Sequence, residues 1–186
     1  MGEEGAISIN IAVIQYIHVY DLYGQSIYAV RLRATRRVKL YRKILVAIDG
    51  SEPSKRALDY AVEIAETRKS ELIIVTSVPR AHVAAFPVGG FNPLYMDQYE
   101  KDLHHTYSRI LAEETETVKK QHPDLLVSKM LLEGRAGDAV VEASKEEGID
   151  LIVMGCRGLS GIKGFVLGSV SRHVVENCTK PILVVK

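Results

Sequence analysis

From Lys43 to the end of the chain, short unbroken apolar runs alternate with stretches whose apolar residues recur every three or four positions. The first pattern predicts strands buried on both faces, the second amphipathic helices. Residues 44–48, ILVAI, form one such run and stop at Asp49-Gly50-Ser51. Ser51 can then cap a helix with Pro53 in its first turn, and Ala57, Leu58, Ala61, Val62, Ile64 and Ala65 line one face of it. Residues 72–78 give a second strand, stopped by Pro79. Tyr99, Leu103, Tyr107, Ile110, Leu111 and Val118 mark a long helix that ends before Pro123, and its tyrosines are assigned to the core. Residues 125–132 supply a third strand closed by Glu133-Gly134, and Asp138 caps a short helix carrying Val140, Val141 and Ala143, which Gly148 ends. A fourth strand at 151–154, a helix over 168–177 and a last strand from Ile182 to Val185 complete the series.

Strands and helices that alternate in this way build an α/β fold, a doubly wound, Rossmann-like parallel sheet of five strands with helices on both faces and right-handed crossovers. The expected strand order is 3-2-1-4-5. Residues 42–186 form this domain. Residues 1–41 stand apart: Ile7, Ile9, Ile11 and Val13 alternate with other residues, Tyr16, His18 and Tyr20 lead into Asp21-Leu22-Tyr23-Gly24, and 26–33 are again β-prone. They read either as a hairpin with a short turn or as upstream sequence from a misplaced start.

Composition narrows the function classes. Of the 186 residues 47% are hydrophobic and 25% charged, with a net charge of +1, so no general electrostatic case for nucleic acid arises. Basic residues cluster between Arg31 and Lys43, where a solvated linker accounts for them better than a nucleic-acid or membrane patch. Cys156 and Cys178 make no disulfide framework and suit a reducing compartment. No apolar run is long enough to span a bilayer, and Glu3 and Glu4 stand where a secretory signal carries positive charge. A cytoplasmic protein without membrane or nucleic-acid partners is expected. The histidines lack metal-ligand spacing, so no metal site made by protein alone is expected.

The chemistry-bearing stretch is GCRGLSGIKGFVLGSVS, residues 155–171. Its glycines let backbone approach a ligand closely, and backbone amides at the following helix N-terminus favour an anion. In doubly wound sheets ligands bind beyond the carboxyl ends of strands where the strand order reverses, here between strands one and four. Asp49 ends the first and Gly155 follows the fourth, so a carboxylate acceptor and a phosphate cradle converge on one crevice. Lys163 and Arg157 read equally as triphosphate contacts or solvated loop charges. Residues 80–95, with Pro87, Gly89, Gly90 and Pro93, read either as a lid or as a plain connection. There is no GxxxxGK[ST], and the first strand does not lead into GxGxxG, which disfavours a Walker site and a conventional dinucleotide site.

ILVAIDGS at 44–51, LIIVTSV at 72–78, Gly155-x2-Gly158-x9-Gly168-Ser169 and KPILVV at the end together resemble the universal stress protein family. The resemblance covers roughly residues 42–186. It implies a domain that binds ATP in the members carrying the glycine motif. On that match Asp49 contacts the nucleoside, Val78 meets adenine through its backbone, and Met154 and Gly155 line base and ribose. Gly158, Gly168, Ser169, Val170 and Ser171 hold the phosphates, with Mg²⁺ arriving through them. The resemblance also implies a homodimer through the last strand, Ile182 to Lys186, a short apolar edge expected to be otherwise unpaired. An ATP-binding regulatory protein leads; a slow ATPase or nucleotide hydrolase and a nucleotide-free dimeric interaction module are the alternatives. Ala136, where many members have proline, and the N-terminal extension depart from the family pattern.

Overall fold

The computed structural model describes residues 17–20, 26–30, 41–80, 93–159 and 167–186. In chain order the elements are β1 (Ile17–Tyr20), β2 (Ser26–Val30), β3 (Lys43–Ala47), α1 (Glu52–Arg68), β4 (Glu71–Val78), α2 (Pro93–Gln121), β5 (Val127–Glu133), α3 (Ala136–Ala143), β6 (Ile149–Gly155), α4 (Ser169–Asn177) and β7 (Ile182–Val185). The sheet order is β1-β2-β7-β6-β3-β4-β5. Among β3 to β7 every pairing with one another is parallel, which gives the expected 3-2-1-4-5 core. Parallel neighbours need crossovers, and the intervening helices supply them.

The unbroken apolar runs have a direct cause: both faces of the sheet are covered. Ile44, Val46, Leu72, Ile74, Leu151, Val153 and Val185 pack on one face with Ala57, Leu58, Ala61 and Ala65 of α1 and Leu111 and Val118 of α2. Leu45, Ile73, Val75, Ile149, Ile152, Met154, Ile182 and Val184 pack on the other with Val140 and Ala143 of α3 and Val174 of α4. Successive strand residues point to opposite faces, so each strand feeds both layers.

Some boundaries and roles differ from the sequence reading. The third strand starts at Val127, and Leu126 before it is 68% exposed. Arg135 occupies the N-cap of α3 without a side-chain cap, and Asp138 lies inside the first turn; the Asp138 carboxylate pairs with His173 Nε2 of α4 at 2.7 Å. Pro93 opens α2, whose 29 residues span about 44 Å at the usual rise. The eight residues of β4 reach only about 26 Å. The helix therefore overruns the sheet, and Tyr99 in its early turns is 49% exposed instead of core.

Within the N-terminal extension β1 and β2 pair antiparallel as a hairpin, with Ile17 opposite Ala29 and Tyr20 opposite Ser26. The alternating stretch at residues 7–13 lies outside the described residues. Strand β2 continues the sheet by pairing antiparallel with β7, from Ile27 opposite Val185 to Val30 opposite Ile182. The expectation of an unpaired edge at residues 182–186 is thereby corrected: the extension supplies a neighbour that the apolar run itself does not announce. No helix among the described residues is long and apolar enough to cross a membrane.

Candidate functional site

Strand β3 lies between β4 and β6, so the chain order reverses beside it, and a crevice is expected beyond its carboxyl end. Gly50 follows Asp49 there with φ +83°, a conformation that side chains other than glycine resist. The turn delivers Ser51 to the N-cap of α1, where its Oγ accepts the Ser54 N–H at 3.4 Å. Ser54 Oγ donates to the Ser51 carbonyl at 2.8 Å and accepts the Asp49 N–H at 3.3 Å. This small web fixes the Asp49 backbone.

The Asp49 side chain reaches across the crevice. Its Oδ1 accepts the Ser51 N–H at 3.0 Å and its Oδ2 accepts the Leu159 N–H at 3.1 Å. One carboxylate thus joins the end of β3 to the loop after β6. Gly158 makes the contact feasible, because a Cβ there would run into Asp49 Oδ2. Gly155 serves a different neighbour: a Cβ on it would lie 2.9 Å from the Pro53 carbonyl carbon and 3.0 Å from its oxygen.

The glycine loop leaves and returns at one residue. The Cys156 N–H donates to the Val185 carbonyl at 2.6 Å, while the Cys156 carbonyl accepts the Gly168 N–H at 2.8 Å and the Ser171 hydroxyl at 2.8 Å. Cys156 itself is 5% exposed, as a structural thiol would be. Helix α4 then opens with Gly168 at its N-cap, without a side-chain cap. The first amides of a helix have no acceptor within it, and its dipole favours an anion at that end. Ser169 and Val170 are exposed there.

Other residues singled out in the sequence occupy more interior positions. Ser171 is 2% exposed, and Gly168 O lies 3.1 Å from its hydroxyl, so that hydroxyl serves the loop's own closure. The Met154 side chain is buried with Val140 and Val174, which leaves its backbone at the strand end. The Val78 carbonyl accepts the Gly134 N–H at 2.9 Å and retains a second lone pair. Residues 81–92, most of the candidate lid, and 160–166, with Gly161, Lys163 and Gly164, lie outside the described residues.

Two contributors escape the sequence reading. Thr76 is 2% exposed, and its Oγ1 donates to the Ile48 carbonyl at 2.8 Å, tying β4 to β3 where their ladder ends. Thr76→Val is expected to cost about 1 kcal/mol, visible as a lower urea midpoint at unchanged m. Tyr107 is half-buried near Asp49. Burial first, then the Asp49 carboxylate and Tyr99, push its phenol above the ordinary tyrosine value, so it remains a neutral hydrogen-bond donor at physiological pH. The local signal is Ile110, one turn further on, whose Cδ1 lies 3.5 Å from where a Cβ of Gly50 would sit. Among the described residues no three His, Cys, Asp or Glu side chains are grouped to hold a metal ion.

The sequence profile of the universal stress protein family matches residues 40–186. A universal stress protein of Bacillus subtilis, YxiE, is 33% identical over 150 residues, covering 79% of this chain and all of the relative. Among solved structures, MJ0577 of Methanocaldococcus jannaschii superposes with a TM-score of 0.64 at 26% identity. That superposition covers 80% of this chain and 97% of the other. A universal stress protein solved in complex with cAMP is 31% identical, with a TM-score of 0.55 over 80% of this chain and 98% of its own. The chain belongs to the universal stress protein family.

Proposed function

We propose that the crevice between β3 and β6 binds an adenine nucleotide, with ATP as the favoured form, and that the protein acts in the cytoplasm as a nucleotide-dependent stress-response regulator. The observation that carries this reading is the meeting of Asp49 with the Gly158–Leu159 peptide beside an α4 N-terminus that has no side-chain cap. A carboxylate that accepts and helix amides that donate match the two ends of a nucleotide, ribose hydroxyls and phosphates. The related protein solved with cAMP supports the ligand class.

In this reading Asp49 orients the nucleoside, Val78, Met154 and Gly155 contribute backbone to the base and ribose, and Gly158, Gly168, Ser169 and Val170 surround the phosphates. Ser171 contributes its backbone amide while its hydroxyl braces the loop. Mg²⁺ is carried by phosphate oxygens and water. Both Asp49 oxygens already accept backbone amides, which suits orientation better than proton abstraction and favours holding ATP over hydrolysing it. A homodimer through residues 182–186 competes with β2 for the same edge and forms only where the hairpin leaves it.

Titration calorimetry of the full chain with ATP and Mg²⁺, compared with AMP and cAMP, tests the ligand. Binding of ATP is expected, weakened at least tenfold by Gly168→Val. A Cβ at Gly168 would already lie 3.4 Å from both Arg157 Cα and the Cys156 carbonyl oxygen, and the added methyls must displace that backbone. No heat with any of the three nucleotides would overturn the reading.

A further inference from the structure

The last strand of the domain is fully partnered within the chain. Each of its four residues is paired with β6 on one side, from Ile182 opposite Ile152 to Val185 opposite Gly155, and with β2 on the other, from Ile182 opposite Val30 to Val185 opposite Ile27. We propose that the β1–β2 hairpin is an intramolecular cover for the β7 edge, occupying the place a second copy's β7 would take, and that displacing it exposes an edge that pairs copy to copy.

Direction, sequence and chain connectivity carry this inference. A two-fold contact between identical edges brings equivalent strands together antiparallel, and β2 meets β7 in that orientation. Strand β7 is ILVV, and an exposed apolar edge of this kind recruits another strand unless it is covered. The hairpin lies outside the family match at residues 40–186, and YxiE is covered over its whole length by a match to 79% of this chain. The cover is thus an addition to a domain that otherwise ends in β7. Only residues 31–42 join β2 to β3. A tether that short holds the hairpin at an effective concentration on the order of millimolar, so a free second copy at lower concentration loses the competition.

Two experiments on the full chain decide it. With Ala29→Cys and Leu183→Cys, which are opposite one another in the register, oxidation is expected to give an intrachain bridge that runs as a monomer on a non-reducing denaturing gel. Bridged dimers would overturn the proposal, because β2 would then be docking in trans. Tyr28→Pro with Ala29→Pro removes one β2 amide from the pairing with β7 and one from the pairing with β1, because successive amides face opposite neighbours. This variant is expected to sediment as a dimer at concentrations where the unaltered chain is monomeric. A folded double-proline variant, verified by circular dichroism, that stays monomeric throughout would overturn the proposal, as would β7 amides that exchange hydrogen equally fast in the unaltered chain and in the variant at a dilution that keeps the variant monomeric.

Discussion

Asp49→Ala is expected to abolish measurable nucleotide binding at ligand concentrations that saturate the unaltered protein. The carboxylate has two tasks. Its Oδ1 orders the turn into α1 through the Ser51 amide, and its Oδ2 holds the Leu159 amide at 3.1 Å. Bonds to an ionised acceptor contribute about 1.5–3 kcal/mol each; for a half-buried group we take about 2 kcal/mol for the loss at the loop, close to thirtyfold in affinity at 1.4 kcal/mol per decade. The contact that Asp49 would make to the nucleoside is lost in addition. Asp49→Asn separates the two effects: one oxygen survives, the charge does not, and one backbone amide meets an NH₂ group. An intermediate affinity is expected for Asn and none for Ala, measured by calorimetry beside urea unfolding. If Ala binds as the unaltered protein does, the carboxylate is no more than a cap for the turn.

How far such a site can be read from sequence depends on which groups announce their partners. ILVAIDGS shows a buried strand that ends in a carboxylate, because burial on both faces leaves no polar alternation and the turn chemistry is explicit. The convergence of Asp49 with the glycine loop follows from the sheet order alone. The target of each carboxylate oxygen does not, since the Ser51 and Leu159 amides belong to backbone that any sequence carries. Ser171 shows the same limit: a serine at a helix start reads as a ligand contact, whereas here it is 2% exposed and bonded to the Cys156 carbonyl. Asp138 reads as a cap because acidic residues favour both the cap and the first turn, and its pairing with His173 depends on two helices meeting. Strand β7 is the clearest case. ILVV suits an edge and an interior strand equally, and its neighbour lies more than 150 residues upstream.

Gly155→Ala is expected to destabilise the domain by about 1–3 kcal/mol, the usual cost of forcing extra atoms into a packed interior. The new Cβ would sit 2.9 Å from the Pro53 carbonyl carbon and 3.0 Å from both its oxygen and its Cβ. Neither side can yield cheaply. Proline has a fixed φ and stands in the first turn of α1, while Gly155 is anchored in the β6 ladder opposite Val185. Helix α1 is held against the sheet by Ala57, Ala61 and Ala65, all fully buried, so relief requires the helix to rise along its length. Gly137→Ala provides the contrast. A Cβ there would meet the His173 ring at 2.8 Å and the His173 Cβ at 3.2 Å; the ring can rotate away, giving up its pair with Asp138, and the Cβ contact needs a shift of only a few tenths of an ångström, so the loss should be smaller. At about 2–4 °C per kcal/mol for a chain of this size, Gly155→Ala should lower the melting temperature by several degrees and the urea midpoint in parallel. Raising α1 also shifts Ser51 and, through it, Asp49, so the same variant should bind nucleotide more weakly although Gly155 lends no side chain to the ligand. Unchanged stability in Gly155→Ala would mean that the close approach of α1 to β6 is not required, and the account of why glycine stands at the end of that strand would fail.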